Sequence, residues 1–190
     1  MRYKPDQKQQ TAANILAAAE RGFRLGGYGG TGVDGLAQEA GVTSGAFYKH
    51  FPSKAAVFEA AVKAGMQRYQ DNIERLQAEL GDDWLVALAD YYLGHEHRTN
   101  IAEGCVVTGL SGEVARSSDQ VRLDYQDGID KVADQVEKGL SGSQADEGKQ
   151  RAWVILSMLA GGVLLSRAVH DESVAEEIAK AIHDATLALK

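Results

Sequence analysis

Apolar residues recur every three or four positions along most of the chain, the period of helices that bury one side. Ile15, Leu16, Ala19 and Phe23 set that period in a first helix, from about Asp6 to Leu25. The run Gly26-Gly27-Tyr28-Gly29-Gly30-Thr31-Gly32 breaks it, and Thr31 with Asp34 has the spacing of a capping box opening a second helix. Two short helices around Gly41 lead to a fourth that starts at Ser53. Phe58, Val62, Gly65, Tyr69, Ile73, Leu76 and Leu80 stripe this fourth helix as far as Gly81. A fifth helix is predicted from Asp83 to about His97 and a sixth from Gly104 to Ala115. Ser117 with Gln120 caps a seventh, striped by Val121, Tyr125, Ile129, Val132, Val136 and Leu140. Ser141 to Gly148 reads as a polar loop. The eighth helix, about Asp146 to Val169, is apolar on nearly every side. Ser173 and Glu176 form a capping box for the ninth, which carries Val174, Ile178, Ile182, Ala185 and Leu189.

The pattern changes between Leu36 and Phe51. Leu-Ala-Gln-Glu-Ala-Gly-Val is followed by Thr43-Ser44-Gly45-Ala46-Phe47-Tyr48-Lys49-His50-Phe51. Gly41 stands where one short helix stops and the chain reverses, a place for a residue free to take positive φ. Thr43 and Ser44 have hydroxyls that can cap the next helix. That helix is short and polar and presents Thr, Ser, Tyr, Lys and His, while Phe47 and Phe51 lie on its core side. A helix-turn-helix of this kind enters the DNA major groove.

Over about Gln10 to Ala64 the chain resembles the TetR family of transcriptional repressors. The resemblance rests on Ile15, Leu16, Ala19 and Phe23, then Gly27-Tyr28 with Thr31 and Val33. Leu36-Ala37 with Ala40-Gly41-Val42 follow, then Gly45, Tyr48, His50, Phe51 and Lys54. Gly32 departs from it, standing where the family often has Ser or Thr. The resemblance implies an all-α fold, with a three-helix DNA-binding head at 1–53 and a helical ligand-binding and dimerisation domain at 54–190, about nine helices in all.

Charge is distributed to match. The whole chain carries −7, but residues 1–54 hold seven Lys/Arg against four acids, leaving −10 for the remainder. A basic head on an acidic body is attracted to phosphate at one end only. Hydrophobic residues make up 44% of the chain, and no uninterrupted apolar stretch reaches membrane-spanning length. Met1 to Thr11 lacks a signal-peptide core. A single cysteine cannot form an internal disulfide, which suits a reducing cytoplasm.

The DNA-contacting candidates are Thr43, Ser44, Gly45, Ala46, Tyr48, Lys49 and His50, flanked by Thr31 and Lys54. Hydroxyls at the start of the recognition helix reach base edges, small residues allow close approach, and the cations and remaining polar groups serve phosphates. For a small-molecule pocket the body supplies Trp84, Tyr91, Tyr92, Cys105, Tyr125, Trp153 and Met158, residues that serve equally as core. Cys105 reads either as a small buried hydrophobe or as a thiol activated at a helix start. The residues paired with symmetry mates across a dimer interface would be Ile155, Leu159 and Val163 of the eighth helix and Val174, Ile178 and Ile182 of the ninth.

Other chemistries find less support. The glycine run matches the dinucleotide fingerprint, but a helix precedes it where that motif needs a strand. His95, His97, Glu103 and Cys105 are ligand types without zinc-type spacing, so no metal or cofactor is predicted. No hydrolase order of Ser, His and Asp occurs. The sequence therefore predicts a cytoplasmic, homodimeric repressor of a palindromic operator, released by a small-molecule inducer. A helical binding protein or enzyme with a vestigial head is the alternative.

Overall fold

The computed structural model describes the backbone of residues 5–140 and 145–190 and the side chains of 7–140 and 147–190. Ten α-helices occur among the described residues. The head comprises α1 (Pro5–Gly30), α2 (Val33–Glu39), α3 (Ser44–Phe47) and the start of α4 (Lys54–Leu80). A 3-10 turn at Gly81–Asp83 leads into α5 (Trp84–Leu93), α6 (His95–Thr99), α7 (Val106–Val114), α8 (Asp119–Gly139), α9 (Ala145–Ala168) and α10 (Glu172–Leu187). No strand is present among the described residues.

Local chemistry sets most of these boundaries, and several differ from the sequence reading. Helix α1 continues through the glycine run and kinks at Gly27, whose φ is 68°. Thr31 does not cap α2. Gly32 holds the N-cap position, and the Thr31 hydroxyl donates to the Gly22 carbonyl instead. Gly41 takes a φ of 69° between α2 and α3, as the turn requires. The predicted fifth helix is two, separated by extended backbone at Gly94. The cap of α8 is Ser118, one residue after the expected Ser117, and Asp171 caps α10 in place of Ser173. Of the polar loop expected at 141–148, residues 141–144 lie outside those described, and 145–148 already belong to α9.

Two apolar clusters organise the packing. One joins Phe23 of α1, Leu36 of α2 and Phe47 of α3 to Phe58 and Val62 of α4, and also takes in Val106 and Leu110 of α7. Phe58 meets Phe23 edge-on at 5.1 Å and Tyr28 at 5.1 Å. Aromatic contacts of this kind add about 0.5–1.5 kcal/mol each beyond burial. The second cluster gathers the far end of α4 with α5, α8, α9 and α10 around Leu85, Leu88, Val132 and Ile155. Helix α4 thus runs through both cores.

Helix α9 is long and apolar enough, by length and composition, to cross a membrane. Its setting accounts for that composition, because Ala152, Ile155, Leu156, Leu159 and Val163 pack into the second core. Those contacts correct one expectation. Ile155, Leu159 and Val163 are fully buried inside a single protomer and cannot meet a symmetry mate. The face left open on α9 carries Val154, Leu164 and Leu165, each 45–58% exposed, and Val174 of α10 is also exposed. Ile178 and Ile182 are half-buried.

Candidate nucleic-acid interface and body cavity

The turn between α2 and α3 is built by short-range bonds. Thr43 Oγ1 accepts the Ala46 N–H at 3.2 Å, which caps α3. Ser44 Oγ donates to Asp34 Oδ1 at 2.6 Å, bracing α3 against α2. Ser44 therefore spends its proton inside the head and has only lone pairs to offer a base. Phe47 is buried in the head core and Phe51 packs against it. The opposite side of the segment faces solvent: Thr43, Gly45, Tyr48 and Lys49 are exposed, and Ser44, Ala46 and His50 are half-buried. Backbone bonds from Tyr48 to Ser44 and from Phe51 to Phe47 carry the helical course beyond Phe47.

The flanking residues are used differently from expectation. The Lys54 ammonium donates to the carbonyls of Tyr28 at 2.8 Å and Thr31 at 3.1 Å, and sits 4.3 Å over the Tyr28 ring. It ties the start of α4 to the end of α1, so its first role is to hold the head together. Thr31, bonded to Gly22, does the same for the α1–α2 joint. Other head cations are also engaged: Arg21 pairs with Glu39 at 2.8 Å and Arg24 with Glu20 at 3.4 Å. Exposed Lys8 and Lys49 remain outward. Arg2 and Lys4 lie outside the described residues.

Where α1, α4, α5 and α7 meet, a cavity of 220 Å³ opens beneath Tyr91. Of the seven pocket candidates it brings together Tyr91, Tyr92 and Cys105. The other four are elsewhere. Trp84 is core, its indole N–H donating to the Gly139 carbonyl at 3.0 Å. Tyr125 bonds Ser111 at 2.6 Å, Trp153 lies under the Lys149 ammonium, and Met158 is half-buried on α9.

The cavity wall also includes residues that the sequence reading missed. Glu20 is 6% exposed and receives both terminal nitrogens of Arg68, one at 2.9 Å, besides its contact with Arg24. The i,i+4 spacing of Glu20 and Arg24 hints at a pair, but nothing local points to Arg68. His97 is likewise structural: its Nδ1 donates to the Tyr92 carbonyl at 2.7 Å and its Nε2 accepts the Cys105 N–H at 3.2 Å. Those two bonds fix the neutral tautomer, and burial lowers the imidazole's affinity for a proton. Burial also pushes the Cys105 thiol up, opposed by the Tyr92 hydroxyl and by more distant Arg24. A thiol so placed stays protonated near neutral pH, which argues for the unreactive reading. Among the described residues no group of three or more His, Cys, Asp or Glu could hold a metal ion.

Fold and surface together define a class: an all-α protein whose helix-turn-helix presents a polar, partly cationic helix to a nucleic acid. Comparison with known proteins narrows it. A family profile described as "Bacterial regulatory proteins, tetR family" matches residues 15–61. A second, described as "Transcriptional regulator LmrA/YxaF-like, C-terminal domain", matches residues 85–181. The HTH-type transcriptional regulator LmrA of Bacillus subtilis is 27% identical over 175 residues, covering 90% of this chain and 93% of that protein. TtgR of Pseudomonas putida is 37% identical over 70 residues, 37% of this chain and 33% of its own length. The fold matches the reduced form of Escherichia coli NemR with a TM-score of 0.78 at 23% identity, over 93% of this chain and 94% of that one. A TetR-family regulator from Cytophaga hutchinsonii gives 0.80 at 15% identity, over 98% of both chains. The chain belongs to the TetR family of transcriptional regulators, and it is a DNA-binding regulator.

Proposed function

We propose that the protein acts as a homodimer on a palindromic operator in the cytoplasm, represses transcription there, and is released by a small molecule taken up in the body. The observation that carries the reading is the outward face of α3. Thr43, Gly45, Tyr48 and Lys49 are exposed together, while Phe47 anchors the same segment to the core. Thr43 and Ala46 stand at the base-reading end, and Tyr48, Lys49 and His50 at the phosphate end. Residues 1–53 serve as the head and 54–190 as the sensing and pairing unit. Regulators bearing the names LmrA and TtgR support this over a catalytic role.

Dimerisation is assigned to the open face of α9 and α10. Val154, Leu164, Leu165 and Val174 form an apolar surface whose burial against a symmetry mate would remove it from water. A double change Leu164→Glu and Leu165→Glu is expected to yield folded monomers in light scattering, with operator affinity lost. A folded dimer carrying both changes would place the interface elsewhere. The DNA reading is tested by gel shift against genomic fragments, including DNA flanking the gene itself. Equal retention of every fragment at physiological salt would contradict operator recognition.

A further inference from the structure

The two hydroxyls at the start of α3 are adjacent in sequence and opposite in hydrogen-bonding state. Thr43 is the N-cap, and its Oγ1 accepts the Ala46 N–H at 3.2 Å. Its proton stays free for a partner. Ser44 is the first residue of the helix and has no capping duty, and its Oγ donates to Asp34 Oδ1 at 2.6 Å. A hydroxyl has one proton and two lone pairs, and a carboxylate only accepts. Ser44 is thereby left as an acceptor.

The pair it forms with Asp34 is open to approach. Asp34 is exposed and Ser44 half-buried, and the residues that follow them, Gly35 and Gly45, are both exposed. A Cβ on Gly35 would meet nothing within 4 Å, and one on Gly45 only Thr43 Oγ1 at 3.9 Å. No side chain at either position covers the pair, so a base edge can reach it. Asp34 also stands in the first turn of α2, where a negative charge suits the helix dipole. That accounts for an acid at this place. It does not account for the bond across to Ser44, ten residues on.

An acceptor suits only some of the groups in the major groove. N6 of adenine and N4 of cytosine carry donors, whereas N7 and O6 of guanine and O4 of thymine accept. An unrestrained serine serves either kind by turning its hydroxyl. Donation to a carboxylate removes that choice, and it polarises Oγ so that the bond Oγ accepts is stronger. Turning the proton toward a keto oxygen would forfeit the bond to Asp34 and leave that carboxylate facing lone pairs.

We propose that Ser44 reads an amino group of adenine or cytosine in the operator, and that Asp34 is the positioning residue that fixes this polarity. The assignment rests on the reading of the head as an operator-binding unit and adds the chemical group recognised at one base pair. Thr43, with its proton free, is matched to the opposite kind of group, a base or phosphate acceptor.

Selection from random duplexes by the full chain and by Ser44→Ala locates the base pair concerned, as the one where only the parent has a preference. Replacing adenine there by purine, or cytosine by 2-pyrimidinone, deletes the amino group; a 7-deaza purine deletes the N7 acceptor instead. Each change is scored by gel shift as the difference between parent and Ser44→Ala, which cancels its effect on the duplex itself. Amino deletion is expected to weaken the parent by about five- to tenfold more than Ser44→Ala, and N7 deletion to affect the two alike. Asp34→Ala frees the Ser44 proton and should lose most of the amino sensitivity. It should bind random-sequence DNA at least as tightly as the parent, because a negative charge leaves the surface. A purely structural Asp34 would instead weaken operator and random DNA together and leave the amino sensitivity in place. That result would overturn the proposal, as would sensitivity to N7 in place of the amino group, or no base pair at which Ser44→Ala departs from the parent. A parent that enriches no sequence at all would overturn the operator reading itself, and the role of Ser44 with it.

Discussion

The two ends of the head use similar side chains in opposite ways. On α3, Tyr48 and Lys49 point to water and are held only by their own short segment, capped by Thr43. At the seam with the body, Glu20, Arg24 and Tyr69 are withdrawn from water, and bonds to distant parts of the chain hold the charged pair. An exposed cation costs little to keep and is available to a phosphate. A buried one must be paired, and removing its partner is expensive. The comparison separates side chains left open to a partner from side chains closed into the fold, within one helical unit.

Removing the buried carboxylate should break the contrast most visibly. Glu20→Ala leaves Arg24 buried with its countercharge gone, and is expected to destabilise the fold by about 3 kcal/mol, the low end for a broken buried pair because Arg68 remains hydrated. Urea denaturation measures it, and a change below about 1 kcal/mol would show that the seam tolerates unpaired charge.

The two lysines sharpen the comparison from the other side. Lys54→Ala loses two bonds to carbonyls that link α1 to α4 and should lower stability by about 1–2 kcal/mol in the same assay. Lys49→Ala should leave stability within about 0.5 kcal/mol. Its effect belongs to DNA, where the salt dependence of binding should fall by about 0.9 per lost phosphate contact. An unchanged salt slope would remove Lys49 from the interface.

The smallest effect concerns His97. Its proton affinity is lowered in the folded state, so at low pH the unfolded chain takes up a proton that the native one resists. Its contribution is present in full above about pH 6.5, the ordinary imidazole value, and is lost as pH falls below it. His97→Gln should flatten stability measured between pH 7 and pH 5 by a fraction of a kcal/mol to about 1 kcal/mol. A variant whose stability falls as steeply as the parent's would assign that slope to other groups.

What was legible in the sequence was what neighbours in sequence decide. Gly41 and Thr43 act over four residues or fewer, and their roles could be read from spacing; the start of α4 at Ser53 was also legible, and its hydroxyl accepts the Ala56 N–H. The Ser117 and Ser173 assignments missed for a related reason. Ser118 and Asp171 lie close by with equally suitable oxygens, and only the path of the chain selects between them. The pairing residues on α9 were misread because a helix apolar all round has two similar faces. Which face the body fills depends on where α5, α8 and α10 lie. The seam was invisible for the strongest reason: Glu20 meets Arg68 across 48 positions and Arg24 meets Ala102 across 78. No periodicity reports such a meeting.

Helix α4 reaches deep into both apolar clusters. Its 27 residues span about 40 Å at 1.5 Å per residue, capped by Ser53 at one end and stopped by Gly81 at the other. Near its middle, Gly65 lets Val106 of α7 come so close that a Cβ there would stand 2.6 Å from the valine's own. A tilt of roughly 5° about that grip would swing the Lys54 end, about 16 Å away at 1.5 Å per residue, by roughly 1.4 Å. That is about half the donor–acceptor distance of a hydrogen bond, enough to unmake a contact to a phosphate. Sensitivity of this kind resides in the ratio of arm length to bond length, and a fold acquires it simply by making one helix long.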